Sequence, residues 1–359
     1  MIALLIPAKA EGQERFVTRL TRGWTNDATP QDSILVSQDG DRQTYSGERG
    51  LFELVAVDEV DFDGDVVVID PARSTAERLI RAGSPHNTLL VTERCDQLCV
   101  MCSQPPKKTH VDRFAEFTQA TMLAPINATI GLSGGEPTLY KEDLFTLIET
   151  VAGSRPDLAF HILSNGQHFE ESDRARLGSP GFRSVTWGIP LYSHRAELHD
   201  AIVKKEGAFE RLMTSFRPLL EAGAEVELRT VLLQDNVGEL GALARFVAAH
   251  LGFIAQWSIM QLENIGFAKN RFSSLYVAGA QFDTPLREAL DIAELFGVTA
   301  RLFNFPRCTV DPRYRHYAVA SISDWKQRYA AACNGCSERS LCSGFFAWHP
   351  ESLLEVSPL

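Results

Sequence analysis

The sequence predicts an α/β fold: a partial barrel of six strand–helix units, (βα)6, with a small β-rich domain before it and an irregular, cysteine-rich extension after it. Three observations lead there. From about Thr88, apolar runs of strand length alternate with amphipathic stretches of helical period. Repeated βα units imply a parallel sheet, because parallel neighbours are joined by a crossover that is normally a helix. Before that point the chain reads as short strands separated by turns, and beyond Gly297 regular periodicity stops where four of the seven cysteines gather.

Residues 1–80 form the expected β-rich domain. The opening Met1 to Pro7 is apolar but too short to span a bilayer, and it lacks the basic flank and longer core of a signal peptide, so a cytoplasmic protein is expected. Ile34 to Ser37 and Leu51 to Val57 flank a turn-rich segment, and Val66 to Ile69 follows Asp63-Gly64-Asp65. Such a domain could dock a substrate or partner, or cover one face of its neighbour.

Residues 81–297 carry the six strands: Leu89 to Thr92, Thr129 to Ser133, Leu158 to Ser164, Ser184 to Pro190, Glu225 to Leu233 and Ala255 to Gln261. Helices are expected over Lys141 to Gly153, Phe209 to Gly223 and Leu240 to Leu251. In the second of these, Phe209, Leu212, Met213, Phe216, Leu219 and Leu220 recur every three or four residues and Gly223 is a natural stop. A last helix, Pro285 to Phe296, has Thr284 as its expected cap and Gly297 at its end. The active site of a barrel of this kind belongs at the carboxyl ends of the strands, where the βα loops meet. Residues 298–359 form the extension.

Composition narrows the function. With 359 residues, 45% hydrophobic and 23% charged, the chain is an ordinary globular protein of two or three domains. A net charge of -11 disfavours nucleic-acid and anionic-membrane partners, which need clustered cations. The adjacent lysine pairs Lys107-Lys108 and Lys204-Lys205 read as solvated surface. Seven cysteines would leave a disulfide framework with one unpaired thiol, but they divide as three plus four with none left over, as two metal centres in a reducing compartment would require.

The first group, Cys95, Cys99 and Cys102, has the spacing C-x3-C-x2-C directly after the first barrel strand. Zinc or a cubane held only by protein wants four ligands, so three thiolates leave one metal position open for chemistry. The second strand ends in Ser133-Gly134-Gly135-Glu136-Pro137, whose paired glycines let backbone approach a ligand closely. The third ends in Ser164-Asn165-Gly166, able to bond a ribose or simply to cap a turn. Arg229 is a charge on an apolar strand and needs a partner, either a ligand carboxylate or an internal acid such as Glu227 or Glu263. His199 and Asp200 read as packing and cap residues, and Leu262 to Ala268 lies where it could touch substrate or adenine. The second group, Cys308 with Cys333, Cys336 and Cys342 in C-x2-C-x5-C, satisfies either tetrahedral zinc or a fully ligated 4Fe-4S cluster.

The C-x3-C-x2-C loop followed one βα unit later by Gly134-Gly135-Glu136-Pro137 resembles the radical S-adenosylmethionine (radical SAM) superfamily. The resemblance implies that Cys95, Cys99 and Cys102 hold three irons of a 4Fe-4S cluster, and that S-adenosylmethionine chelates the fourth and is cleaved to a 5'-deoxyadenosyl radical. It further implies that Gly134, Gly135 and Glu136 meet the methionyl amino group, Ser164 and Asn165 the sugar, and Arg229 the methionyl carboxylate. The extension resembles a single-cluster form of the auxiliary-cluster domain of peptide-modifying radical enzymes, of the SPASM or twitch type. Thr88 to Lys107, and Ser321 to Lys326 ahead of Cys333, look like the His-Xaa-Ser system radical maturase, over roughly residues 64–346. That resemblance implies a ribosomally made peptide or small protein as substrate, an external electron donor of the flavodoxin or ferredoxin type and a partner maturase. Two other readings compete: a radical enzyme acting on a small metabolite or nucleoside, and a redox or binding protein without S-adenosylmethionine, against which the Gly134-Gly135-Glu136-Pro137 turn argues.

Overall fold

The computed structural model describes residues 4–23, 28–55 and 61–359. Residues 1–3 of the opening apolar run and 56–57 of the second expected strand lie outside them. The chain falls into two compact units, Met1–Val91 with Val111–Ser133 and Tyr140–His161, and Thr92–His110 with Gly134–Leu139 and Ile162–Leu359.

The first unit contains a closed barrel. Strands β1 (Leu5–Ala10), β2 (Phe16–Thr21), β3 (Asp32–Asp39), β4 (Arg42–Gly47), β5 (Gly50–Val55), β6 (Val66–Asp70) and β7 (Thr75–Ile80) are joined in the order β1-β5-β4-β3-β2-β6-β7, and β1 pairs with β7 to close the ring. Side chains alternate across the wall, so Ile6, Ala8, Leu20, Tyr45, Phe52, Leu54, Ile69 and Ala76 fill the interior. Closure satisfies every strand edge, which the local pattern of short strands does not reveal.

Beyond the barrel, strands and helices alternate: β8 (Asn87–Thr92), α1 (Phe114–Met122), β9 (Thr129–Gly134), α2 (Lys141–Ser154), β10 (Ala159–Leu163), α3 (Arg174–Leu177), β11 (Val185–Pro190), α4 (Ala196–Val203), α5 (Ala208–Ala222), β12 (Glu225–Val231), α6 (Leu240–His250), β13 (Gln256–Met260), α7 (Phe272–Leu275), α8 (Gly279–Leu295) and β14 (Ala300–Phe303). A seven-stranded sheet runs in the order β14-β13-β12-β11-β10-β9-β8, with parallel registers from β11 to β14. All six expected strands are in it. The seventh, β14, is only four residues long and lies in the stretch expected to be irregular. The α/β class with a small N-terminal β domain is thus the observed one.

Two helices differ from expectation. Helix α8 begins at Gly279, not Pro285; its first turn is closed by Gln281, whose Oε1 accepts the Ala278 amide at 3.0 Å, and Pro285 sits inside. Thr284 is therefore not a cap. In α5 the expected stripe buries Leu212, Phe216 and Leu219, but Leu220 points outward and is 52% exposed. After β14 the chain forms short 3-10 turns and one small antiparallel pair, β15 (Gln327–Arg328) with β16 (Phe345–Phe346).

Candidate active site

Cys95, Cys99 and Cys102 lie on the loop that leaves β8. The loop is pinned by backbone: the amides of Leu98 and Val100 donate to the carbonyls of Val203 and Ile202 at the end of α4, at 3.1 and 2.9 Å. The Cys102 carbonyl accepts the Phe267 amide at 2.8 Å. Gly266 makes this approach possible, since a Cβ there would lie 2.2 Å from the same carbonyl oxygen. Gln97 is buried inside the loop; its amide N–H donates to Cys95 Sγ at 3.4 Å, and its Nε2 has no partner among the described residues. Burial pushes all three thiols up, Cys95 to about 12, and the nearby Cys102 adds to the rise at both Cys95 and Cys99. A metal would have to displace those protons, as soft cations do.

The turn after β9 is laid against the entry to this loop. The Gly135 amide donates to the Thr92 carbonyl at 2.8 Å and the Glu136 amide to the Arg94 carbonyl at 2.7 Å. A Cβ on Gly134 would stand 2.0 Å from Thr92 O, and one on Gly135 2.1 Å from Arg94 O, so both positions exclude any side chain. Glu136 is fully buried. Its Oε1 accepts the Thr138 amide at 2.9 Å, the Thr138 hydroxyl at 2.5 Å and the Ser164 hydroxyl at 2.8 Å, while Oε2 accepts the Asn165 amide at 2.5 Å. Burial raises its carboxyl above the ordinary range, and these donors pull it back. The three motif residues Glu136, Ser164 and Asn165 are therefore one knot at the carboxyl ends of β9 and β10.

Arg229 on β12 has an internal partner, Glu227: Nη1 lies 2.9 Å from both carboxylate oxygens, and Ser258 Oγ donates to the same acid at 2.5 Å. Two positions apart on a strand, the pair shares one face of the sheet. Glu263, the other expected partner, pairs instead with Lys326 at 3.4 Å. His199 and Asp200 lie within α4 itself, where Asp200 caps α5 by accepting the Gly207 and Phe209 amides at 2.5 and 2.8 Å.

Four residues join the site that sequence reasoning passed over. Asp96, beside Cys95, takes Asn165 Nδ2 on Oδ1 at 2.7 Å and His168 Nε2 on Oδ2 at 3.0 Å, and pairs with Lys205 Nζ. Burial alone would raise Asp96, but the bonds from His168 and Lys205 hold it well below the usual carboxylate range. Lys205 is thus no solvated surface lysine. Tyr192, just past β11, packs with Cys99 against the hydrophobic cluster that holds Val100 and Met101 of the cysteine loop, and its hydroxyl is pushed up by burial and by the thiols of Cys99 and Cys102, with Arg229 pulling the other way. The signal for Asp96 was present: an acid between two metal-ligand cysteines needs a partner.

The second group also converges. Cys308, Cys333, Cys336 and Cys342 line one small cavity with Arg307, Tyr329 and Leu359. Backbone amides of Arg307 and Gly344 point at Cys342 Sγ from 3.3 and 3.4 Å, and that of Leu359 at Cys336 Sγ from 3.5 Å. As the side chains stand, no group of three or more Cys, His, Asp or Glu among the described residues is gathered tightly enough to hold a metal ion. Both sets nonetheless fit a cluster in chemistry: soft thiols, amides aimed at sulfur, and a glycine backbone that clears space beside the first.

No family model matches the chain. It is similar to a GTP 3',8-cyclase of Nautilia profundicola, 29% identical over 152 residues, 40% of this chain and 46% of that protein. It is also similar to an AdoMet-dependent heme synthase of Oleidesulfovibrio alaskensis, 27% identical over 207 residues, 53% of this chain and 50% of that protein. The chain spans about half the length of the curated relatives it matches. The solved Streptococcus suis SuiB bound to S-adenosylmethionine aligns at 14% identity with a TM-score of 0.49, over 60% of this chain and 49% of that one, a likeness on which nothing about chemistry rests. The curated similarities support the radical SAM superfamily, a class of enzymes, as the one to which this chain is related. Among the described residues no helix is long and apolar enough to cross a membrane.

Proposed function

We propose that this chain is a radical SAM enzyme that modifies a ribosomally made peptide, with a His-Xaa-Ser repeat precursor as its substrate. The observation that carries the radical chemistry is the loop of three thiols at the end of β8, with the Gly134-Gly135 backbone and the Glu136–Ser164–Asn165 knot built directly onto it. When bound, the 4Fe-4S cluster supplies the electron that cleaves S-adenosylmethionine to methionine and a 5'-deoxyadenosyl radical. Cys95, Cys99 and Cys102 would hold it, leaving one iron open. The paired glycines would present bare backbone to the methionyl group. Glu136 would act chiefly by fixing Ser164 and Asn165 for the sugar, since protein donors already engage its carboxylate. The Arg229–Glu227 pair uses Nη1, and a methionyl carboxylate would take the other guanidinium nitrogens. Cys308, Cys333, Cys336 and Cys342 would hold an auxiliary 4Fe-4S cluster or zinc, and an external flavodoxin or ferredoxin would deliver electrons.

The peptide half of the reading is supported by the second set of thiols and by the maturase-like segments. The names of the curated relatives favour a second reading, a small-molecule substrate such as a nucleotide or tetrapyrrole. Anaerobic incubation of the reconstituted full chain with reductant, S-adenosylmethionine and each candidate separates them by mass spectrometry. We expect 5'-deoxyadenosine, lost when Cys95, Cys99 and Cys102 are changed together to Ala, and a mass change in the repeat peptide. If GTP or a tetrapyrrole stimulates 5'-deoxyadenosine formation and such peptides never do, the peptide reading falls and the small-molecule reading replaces it.

A further inference from the structure

We infer that Asp96 is a positioning residue for the cluster site: its carboxylate locks the cysteine loop to the loop after β10 and balances the charge of Lys205 against the cysteine loop. The inference rests on the reading that Cys95, Cys99 and Cys102 bind the cluster. Its basis is convergence. Side chains from two other segments meet on this one carboxylate: Asn165 Nδ2 on Oδ1 at 2.7 Å, His168 Nε2 on Oδ2 at 3.0 Å, and Lys205 Nζ on Oδ2. Asn165 is itself held at its amide by Glu136 and at its Oδ1 by the Gln167 amide at 3.0 Å. Asp96 therefore closes a continuous frame from the first thiol, through the sugar-side loop, to the turn that carries the paired glycines.

Charge adds a second role. The side chains of Asp96 and Lys205 are only 23% and 24% exposed, so water screens the pair less than it screens surface ions. Removing the carboxylate leaves the Lys205 ammonium uncompensated against the cysteine loop, and a positive charge there favours the reduced, more negative cluster. Removing the ammonium does the reverse. A pair too far from the cluster, or too well screened by water, would leave the potential unmoved.

The test uses the full chain reconstituted anaerobically with iron and sulfide. The midpoint is followed by the spectroscopic signal that changes when S-adenosylmethionine is added, and cofactor affinity is measured on the same samples. Asp96→Asn should shift the midpoint positive, Lys205→Met should shift it negative, and the double variant should fall between them. Asp96→Ala, which also releases Asn165, should weaken S-adenosylmethionine binding about tenfold, as expected for losing a bond to a charged group. Unchanged midpoints in Asp96→Asn and Lys205→Met, with unchanged affinity in Asp96→Ala, would overturn the inference. If the Asp96 variants show no cooperative melting, the Lys205→Met midpoint decides, a negative shift supporting the inference and no shift refuting it. Wild-type protein that takes up no cluster or binds no S-adenosylmethionine would instead sink the functional reading, a result seen before any variant is made.

Discussion

At the scale of single residues, burial decides which polar groups act and which hold the frame. His199 is 1% exposed, and its lowered pKa, about 4 against an ordinary 6.5, comes from burial, with Asp200 opposing. A histidine kept neutral by folding favours the folded state fully above about pH 6.5, and that contribution is lost as pH falls toward 4, because the unfolded chain then binds the proton more readily. The full window is worth about 3 kcal/mol. His199→Asn keeps an acceptor for the Tyr192 amide, now 3.4 Å from Nδ1, but does not titrate. Its melting temperature should therefore fall less than the wild type's between pH 6.5 and 4; equal slopes in thermal unfolding would refute the assignment. Glu136 makes the same point without titration, as an acid whose surroundings give it a structural task.

Elements matter here chiefly at their ends. The site occupies the carboxyl ends of β8 to β12 because each strand there hands over to a loop whose backbone is not used by the ladder. Gly135 is one of the tightest of these joints. Gly135→Ala would drive a Cβ to 2.1 Å from the Arg94 carbonyl oxygen and 2.9 Å from the Cys95 amide, and the turn must shift because both obstacles are backbone. We expect a loss of about 1 to 3 kcal/mol in thermal unfolding, and poorer iron retention after reconstitution. Gly153→Ala is the control, since a Cβ there meets nothing within 4 Å. If the two variants behave alike, the close approach at Gly135 is not a constraint on the site.

For the whole molecule, the three-plus-four division of thiols becomes a metal count. The second set lines its own cavity in the extension, and no element of the cysteine loop lines it. Changing Cys95, Cys99 and Cys102 together to Ala should leave about four irons per chain, bound by the second set. Iron and zinc analysis of the purified variant checks this, and zinc in place of iron would make the second centre a structural zinc site.

Local patterns were legible in the sequence because they depend on neighbours along the chain. Periodicity marked the six strands and the helices α2, α5 and α6, cysteine spacing marked an open coordination position, and paired glycines marked the place where backbone must come close. Longer-range matters waited for the tertiary structure. Closure of the N-terminal barrel depends on β1 meeting β7, a pairing no local pattern encodes. The sequence points to Pro285 as the start of α8 because proline suits a first helical turn, whereas the helix begins six residues earlier, at Gly279, where the Gln281 side chain closes the first turn on the Ala278 amide. Lys205 reaches Asp96 across 109 residues of sequence, while Arg229 pairs with Glu227 on its own strand face and Glu263 pairs with Lys326. A charge seeks whichever partner the fold brings near. The residue types therefore determined which groups needed partners, and only the packed chain decided which partners they found.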